Sequence, residues 1–299
     1  MIPALSVDKA LEQIEAGATL TREELLELAD SPDILAAGML ADAQRRIRHG
    51  SVVTYLRVAT CAFDALASPP PAAAGGGELR LTAPPPSLPQ ALQALDTARA
   101  LAGSRTLAAL TWADVLRYAE TGGGVDNVLR ELHRVGLDAL AEVALDGETP
   151  VDAVLGALSA AGFDKLRLHV ARPGHARERV DLWCRVAGAQ AAAGVASVNP
   201  LPTVLGSFRP TTGYDDVKAV ALARLAMPGV AHLQVDWVRY GPKLAQVALT
   251  FGANDVDGVS ASDEAPLGRR RAPLEEIRRN IQAAGFTPTE RDGRFAVVG

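Results

Sequence analysis

The feature that most constrains this chain is a repeated alternation of strand and helix signals. Short apolar segments rich in β-branched residues are each followed by a stretch with apolar residues at helical spacing. After a first strand signal within Ser51–Phe63, the predicted strands are Thr106–Leu110, Leu137–Leu145, Lys165–Val170, Val195–Leu201, Val230–Trp237 and Ala248–Phe251. Parallel strands need crossover helices, so the pattern predicts an α/β fold with a parallel sheet. A (β/α) barrel is favoured over an open sheet, because the 299 residues include no Gly-x-Gly-x-x-Gly after an early strand.

Composition divides the chain into three parts. Helical signals at Asp8–Ala16, Arg22–Ala29 and Ile34–Arg48 predict an N-terminal helical lead-in over residues 1–50, packed on the barrel. The barrel is expected over residues 51–260, with a Pro/Gly-rich surface loop at residues 65–89. Residues 261–299 are predicted to form a C-terminal extension of a loop and a helix.

Charge and apolar content exclude several classes of partner. The net charge of -5 leaves no basic surplus for nucleic acid or anionic lipid. No apolar run approaches the ~18 residues that a membrane helix needs, and Met1–Gly17 lacks the layout of a signal peptide. We therefore expect a cytoplasmic protein without a nucleic-acid or membrane partner. Its two cysteines, Cys61 and Cys184, cannot form a Cys-rich metal site by themselves.

The first strand ends near one of these cysteines. The segment SVVTYLRVATCAF at residues 51–63 is apolar and β-branched, and the following Pro- and Gly-rich residues cannot continue a strand or a helix. Active-site groups of α/β barrels gather at the carboxyl ends of strands, so a loop carrying the Cys61 thiol is expected there.

Several blocks of sequence resemble a known family in order and spacing. They are LTREELLELADSPDILAAGMLADAQRRIRHGSVVTY at residues 20–55, RERVDLWCRV at 177–186, NPLP at 199–202, TTGYDDVKAVALARL at 211–225, WVRYGPKLAQVALTFGANDVDGV at 237–259 and EEIRRNIQAAGFTPTERDG at 275–293. Together they resemble the radical S-adenosylmethionine (SAM) family of aminofutalosine synthase, dehypoxanthine futalosine cyclase and the deazaflavin (FO) synthases. The resemblance implies a TIM-like barrel of the radical SAM type.

The chain departs from this family where the family binds iron. The resemblance implies a 4Fe–4S cluster held by a C-x3-C-x2-C loop after the first strand, often ending in Cys-Ala-Phe. Aligning Cys61-Ala62-Phe63 with that ending places Thr54 and Val58 at the other two cysteine positions. Neither can supply a thiolate, which such a cluster requires. We therefore expect no cluster and no SAM cleavage, and SAM binding itself is put in question.

A second departure concerns the barrel. The family's Gly-Gly-x-His-Pro segment is replaced by LAALTWAD at residues 107–114, and the interval from Thr111 to Gly136 is shorter than in the family. The sequence therefore predicts that a strand is missing or very short between residues 111 and 137, which leaves the barrel incomplete or distorted there.

Polar residues near the last strands are the candidate ligand-binding groups. Asn254, Asp255 and Asp257 are expected just past the last strand, and the resemblance implies a place by the substrate at the barrel mouth for Asn254 and Asp255. The other interpretation is an Asx-rich turn that closes the barrel. Other polar residues alternate along one predicted strand and so share one face, as a satisfied polar core or a ligand pocket: His232, Gln234 and Asp236. His169, Asn199 and Arg209 are weaker candidates.

Three functions stay open, and no catalytic residue is assigned. The first, which we favour, is a catalytically silent relative acting as partner or regulator of an intact family enzyme in menaquinone (futalosine-route) or related cofactor biosynthesis. The second is a cluster-free enzyme or binding protein for a small, nucleoside-like molecule at the barrel mouth. The third, an active radical enzyme, is disfavoured because the whole chain has two cysteines. The oligomeric state is not predicted.

Overall fold

A computed structural model of the chain describes residues 6–70, 75–172, 174–202, 211–265 and 271–298. The helices are α1 (Val7–Glu15), α2 (Arg22–Asp30), α3 (Ile34–His49), α4 (Leu88–Ala102), α5 (Trp112–Ala119), α6 (Val125–Arg134), α7 (Val151–Ala160), α8 (Ala176–Ala193), α9 (Gly213–Ala226), α10 (Trp237–Thr250) and α11 (Pro273–Ala283). The strands are β1 (Val52–Ala62), β2 (Glu78–Thr82), β3 (Thr106–Thr111), β4 (Ala139–Leu145), β5 (Leu166–Val170), β6 (Val195–Pro202), β7 (His232–Asp236), β8 (Asp255–Ser260) and β9 (Thr287–Arg291).

Strands β1 to β8 form a closed parallel barrel with helices around it. Each strand pairs with the next along the chain, and β1 pairs with both β2 and β8, which closes the ring. The predicted TIM-like barrel is therefore confirmed. The predicted loss of a strand between residues 111 and 137 is wrong, because all eight barrel strands lie elsewhere and that interval forms α5 and α6. Strand β2 instead lies inside the segment predicted as a loop at 65–89.

The ninth strand belongs to the chain's last segment. β9 runs parallel to the amino half of β1, from Val52 to Leu56, while β2 pairs with the carboxyl half, from Val58 to Ala62. Beyond β9 the chain turns back, and Arg291 forms an antiparallel bridge with Val297. The expectation of only a loop and a helix after residue 260 is therefore wrong, because β1 is longer than its neighbours and leaves an edge that β9 fills.

The last barrel strand also lies later than predicted. Ala248–Phe251 forms the end of α10 and the turn after it, and Gly252 at φ +105° leads the chain into β8. Asp255 and Asp257 are therefore strand residues, and their predicted position past the last strand is wrong. A strand can bury two carboxylates where cations inside the barrel compensate them.

Two of the three helices before the barrel begin with clear local signals. Thr21 and Glu24 form a capping box at the start of α2, and Asp33 accepts the backbone N–H groups of Leu35 and Ala36 at the start of α3. α3 packs mainly against α9 and α1. Across the described ranges, no helix combines the length and apolar character that a membrane crossing demands.

Candidate functional site

A buried ion pair organises one side of the barrel interior. Asp255 of β8 is the register partner of Thr54 on β1 and of Gln234 on β7. The three side chains therefore share the inner face of the barrel. Both carboxylate oxygens of Asp255 accept hydrogen bonds from Arg291 at 2.6 Å. Thr54 Oγ1 donates at 2.6 Å and Gln234 Nε2 at 2.7 Å. Burial alone raises the pKa of Asp255, but the Arg291 charge outweighs it and holds that pKa below its usual range.

A second charged group continues across the interior. Glu78 of β2 forms ion pairs with Arg80 at 2.7 Å and Arg167 of β5 at 2.6 Å. Arg80 also donates to Asp257 at 2.9 Å. Burial opposes ionisation of Glu78 and Asp257, yet the neighbouring arginines keep the pKa of each carboxyl low. Because these charges compensate one another, the predicted residue Asp257 serves as a counter-ion in the barrel interior.

Asn254 lies at the opposite end of the barrel from the mouth. It immediately precedes β8, at the amino ends of the strands, and is 1% exposed. Its Oδ1 accepts hydrogen bonds from Arg224 at 2.5 Å and from the backbone N–H of Leu233 at 2.8 Å. The expected position of Asn254 at the barrel mouth is therefore wrong, because the turn after α10 precedes β8.

The amino end of the barrel is covered by the chain's own terminal hairpin, residues 287–298. The Phe295 ring lies 4.1 Å from Arg291 Cζ and 4.8 Å from the His232 ring. His232 begins β7, and its buried Nδ1 has no hydrogen-bond partner. Burial lowers the pKa of His232, which favours the neutral ring. The predicted residues His232 and Gln234 thus face the barrel interior below the mouth.

The carboxyl ends of the strands surround an open cavity of about 270 Å³. Its polar lining includes one residue from each of six elements, β2, α5, β4, β5, β7 and α10: Arg80, Asp114, Glu142, His169, Asp236 and Arg239. This is the end of an α/β barrel where functional groups gather. Of the six predicted ligand-binding residues, Asp236 lines this cavity, and Asp257 contacts the lining residue Arg80. We refer to it as the mouth cavity.

His169 is the most unusual group in the mouth cavity. It is 5% exposed, and its Nδ1 has no hydrogen-bond partner. Burial is the main cause that lowers the pKa of His169 to about 4, so the ring is neutral near pH 7. A neutral imidazole offers one donor and one acceptor to a ligand. The unpartnered nitrogen is costly unless something binds it.

Asp236 and Arg239 complete the polar side of the mouth cavity. Asp236 caps α10 by accepting the Arg239 backbone N–H at 2.8 Å. Burial, followed by the charge of Asp257, raises the pKa of Asp236. The Arg239 guanidinium pairs with Glu142 at 3.2 Å. Because Arg80 and Arg239 are both already paired with carboxylates, the cavity suits a neutral or cationic polar ligand better than an anion.

A second cavity of about 420 Å³ lies at the carboxyl ends of β4 and β5, beside the start of α8. It is lined by Asp146, Arg172, Glu178 and Arg179 among others. Arg179 is 6% exposed and its buried Nε has no hydrogen-bond partner. Burial lowers the pKa of Arg179.

The three positions aligned with the cluster ligands all lie in β1. Thr54 and Val58 share the inner face, where Thr54 binds Asp255 and Val58 is the register partner of Glu78. Side chains alternate along a strand, so Cys61 points to the opposite face, where it is 2% exposed. The expectation that Cys61 lies in a loop is wrong, because β1 continues through Ala62.

These residues do not fit an iron–sulfur cluster. Such a cluster needs several thiolates converging on one point, and β1 offers one thiol on the face away from the other two positions. Burial raises the pKa of the Cys61 thiol, which disfavours the thiolate. Within the described ranges, no group of three or more His, Cys, Asp or Glu side chains could hold a metal ion.

The sequence reasoning missed most of the interior charges. Glu78 and Arg80 alternate in ELRLT, and Arg167 and His169 alternate in LRLHV, so the spacing of both pairs was a usable signal. Arg291 gave no such signal, because β9 was not predicted. Of the weaker candidates, Asn199 is buried with Oδ1 accepting the Leu201 N–H at 3.1 Å, and Arg209 lies outside the described residues.

The fold is a (β/α)8 barrel, and two solved structures share it. An FeFe-hydrogenase maturase HydG from Carboxydothermus hydrogenoformans matches with a TM-score of 0.65 at 11% identity, covering 97% of this chain and 80% of that one. Methylornithine synthase (PylB) matches with a TM-score of 0.63 at 14% identity, covering 93% of this chain and 97% of that one. At such identities the likeness shows the fold alone.

Sequence comparison finds relatives at higher identity than these solved structures. Residues 200–298 match the family described as the CofH/MqnC C-terminal region. Aminodeoxyfutalosine synthase of Thermus thermophilus is 36% identical over 108 residues, which are 33% of this chain and 28% of the relative. The 5-amino-6-(D-ribitylamino)uracil–L-tyrosine 4-hydroxyphenyl transferase of Methanopyrus kandleri is 32% identical over 215 residues, 59% of this chain and 57% of the relative. A similarly described protein of Archaeoglobus fulgidus is 35% identical over 122 residues, 36% of this chain and 35% of the relative.

The predicted resemblance is therefore confirmed: over part of its length this chain is similar to the CofH/MqnC family, to aminodeoxyfutalosine synthase and to the archaeal tyrosine transferase. The chain matches only 28% to 57% of the length of these three relatives.

Proposed function

We propose that this protein is a cluster-free member of its family that acts as a non-catalytic partner or regulator in menaquinone (futalosine-route) or related cofactor biosynthesis. The link to such pathways rests on the relatives, which include aminodeoxyfutalosine synthases. One observation supports the loss of radical chemistry: β1 runs without interruption through the positions where the family's cluster loop is expected.

The two positions that lack cysteine also make structural contacts of their own in β1. The Thr54 hydroxyl is already used, because it donates to Asp255 in the buried pair with Arg291. Val58 pairs in register with Glu78 of β2. Both positions therefore belong to the continuous sheet, and holding a cluster there requires opening the β1–β8 ladder at Thr54 and the β1–β2 ladder at Val58. Without the cluster, SAM has no electron donor for reductive cleavage.

Anaerobic reconstitution with iron and sulfide tests the proposal. The protein is expected to retain no stoichiometric iron or sulfide after desalting and to release no 5′-deoxyadenosine from SAM with a strong reductant. The Thermus thermophilus aminodeoxyfutalosine synthase, treated in parallel, is the positive control. Stoichiometric iron and sulfide together with SAM cleavage would contradict the proposal.

A second candidate function is the binding of a small, nucleoside-like molecule at the barrel mouth. The specific observation in its favour is His169, whose unpartnered Nδ1 lies in a cavity of about 270 Å³. The paired arginines around it favour an uncharged or cationic ligand over a phosphorylated one.

One experiment separates the two candidates. Tagged protein is captured from the native cell, and its bound proteins and small molecules are identified by mass spectrometry. Stoichiometric capture of an intact relative with the C-x3-C-x2-C motif supports the partner role. A co-purifying small molecule that is lost from the His169→Ala variant supports the second function, and the exposed Val238→Ala variant is the matched control.

A further inference from the structure

Arg179 is a buried cation without a partner in the part of the chain that the structure describes. It lies in the first turns of α8 and is 6% exposed. Among the described residues it forms no hydrogen bond and no ion pair, and its Nε is buried without an acceptor. The carboxylates of Asp216 and Asp215 on α9 lie near enough to favour its charge, yet neither bonds to it. A buried charge in this state is costly unless a counter-ion reaches it.

The second cavity, of about 420 Å³, offers the space for such a counter-ion, because Arg179 lines it. Exposed Arg172 lines the same cavity, and no described residue forms an ion pair with it. The cavity lies beside the start of α8, and the amino end of an 18-residue helix attracts negative charge. Two unpaired guanidinium groups and a helix amino end therefore border one open space.

Three carboxylates also line this cavity, and two of them are bound to their own turns. Asp146 Oδ1 accepts hydrogen bonds from the backbone N–H groups of Glu148 and Thr149 at 3.1 and 2.9 Å. Glu178 Oε2 accepts the His175 N–H at 3.1 Å. The third, Glu148, is exposed to water. These local bonds stabilise the loop and the helix start, whereas both arginines remain available to a ligand.

We propose that the second cavity binds a phosphate group, which Arg172 and Arg179 hold beside the amino end of α8. Guanidinium groups pair with phosphate through charge-assisted hydrogen bonds. Arg172 follows β5 and Arg179 belongs to α8, so the two donors come from different segments. A tetrahedral phosphate has oxygens in several directions and fits such donors better than a planar carboxylate. The volume of about 420 Å³ also leaves room for a small organic group attached to the phosphate.

This site is separate from the mouth cavity and goes beyond the proposed function. The linings of the two cavities share no residue. Val170, which follows inward-facing His169 on β5, lines the second cavity, so the cavity lies outside the ring of strands. In the mouth cavity Arg80 and Arg239 are paired with carboxylates, which disfavours an anion there. The unpaired arginines give the second cavity the opposite preference.

Isothermal titration calorimetry of the full chain with inorganic phosphate, at constant ionic strength, tests the proposal. One phosphate is expected to bind, and acetate at least about tenfold more weakly. Arg179→Met is expected to weaken phosphate binding at least about tenfold, because hydrogen bonds between charged groups are the strong ones. The matched control is Arg177→Gln, which removes the same charge from the same helix. Arg177 pairs with Asp30 and lines neither cavity, so this variant is expected to bind phosphate like the unchanged chain.

Urea unfolding separates a ligand site from a structural role for Arg179. Without phosphate, Arg179→Met is expected to be at least as stable as the unchanged chain, because it removes a buried charge that has no described partner. Added phosphate is expected to raise the urea midpoint of the unchanged chain and to leave that of Arg179→Met in place.

Four results overturn the proposal. They are no phosphate binding by the unchanged chain, acetate binding as tight as phosphate, equal weakening in Arg177→Gln, and a marked loss of stability in Arg179→Met without phosphate. The last result would show that a contact within the protein already holds the Arg179 charge.

Discussion

At the residue scale, charged side chains hold much of the barrel interior together. Removing one partner of a buried pair leaves an uncompensated charge and costs several kcal/mol. Here Asp255 is paired with Arg291, and Glu78 contacts two arginines. Such an interior requires particular residues at particular positions, whereas an apolar core tolerates many substitutions. The predicted residues Asp255 and Asp257 are explained by this pairing without a ligand.

His169 gives a prediction about pH at the same scale. Its pKa is lowered from 6.5 to about 4 in the folded chain, so between these values the unfolded state binds a proton that the native state does not. The contribution of neutral His169 to the free energy of unfolding is fully present above pH 6.5 and is lost as the pH falls toward 4. The full effect is on the order of 3 kcal/mol.

Urea unfolding at pH 7.5 and pH 4.5 measures this effect. His169→Gln is expected to lose less of its unfolding free energy between the two pH values than the unchanged chain. His49, whose pKa burial also lowers to about 4, is half-buried, so His49→Gln is expected to reduce the loss by a smaller amount. An identical loss in His169→Gln and the unchanged chain would show that His169 does not titrate as described.

Single residues of the site were only partly predictable from sequence. Alternation along VAHLQVDWV correctly places Gln234 and Asp236 on one face of a strand, since that pattern depends only on local geometry. The partners of Asp255 were not predictable, because Thr54 and Arg291 are distant in sequence and meet only through the barrel closure. The buried, unpartnered state of His169 was likewise not predictable, because the sequence of a five-residue strand does not show how deeply its side chains are buried.

At the element scale, the strands that were missed share one property. β2 and β8 carry charged residues on the inner face, and β9 has the sequence TPTER, so none presents the apolar run that marks a buried parallel strand. The strands that were predicted, such as β3 and β5, keep that apolar signal. Hydrophobic pattern therefore predicted the class of fold and most of its helices, and failed where buried ion pairs replace apolar contacts.

β1 supports a prediction about the lost cluster site. In the double variant Thr54→Cys/Val58→Cys the sulfur count of the family motif is restored, but Cys61 still points to the opposite face of the strand. We expect this variant to bind no stoichiometric 4Fe–4S cluster on anaerobic reconstitution. It is also expected to unfold at lower urea concentration, because the Thr54 hydrogen bond to Asp255 is lost at a cost of about 1 to 3 kcal/mol.

The single variant Val58→Cys is the matched control, because it adds sulfur without removing a described hydrogen bond. Its stability is expected to lie closer to that of the unchanged chain. A double variant that assembles a stoichiometric cluster would show that β1 can open into a loop, and that the two missing thiols alone prevent cluster binding.

At the scale of the whole molecule, two features complete the barrel: the pairing that closes the ring of strands and the terminal hairpin that covers one end of it. The ring closes where β1 meets β2 and β8, and the terminal hairpin then covers the amino end of that ring. Phe295 adopts φ +66°, an uncommon conformation for a residue with a side chain, while its ring covers Arg291. Two segments that are remote in sequence, the first strand and the last residues, thus depend on each other.

Gly293 tests whether the terminal hairpin is an integral part of the fold. A Cβ atom at this position lies 2.5 Å from Thr106 Cβ and 2.9 Å from Glu78 Oε2, so Gly293→Ala must displace the hairpin or the charged group beneath it. The expected loss of unfolding free energy is about 1 to 3 kcal/mol.

Gly156→Ala is the matched control, because a Cβ atom at this position of α7 meets open space. Its free energy of unfolding is expected to rise by about 0.5 to 1 kcal/mol. Urea unfolding followed by circular dichroism measures both changes. If Gly293→Ala is as stable as the unchanged chain, the hairpin is only loosely attached; a loss confined to this variant shows that the barrel folds together with its final residues.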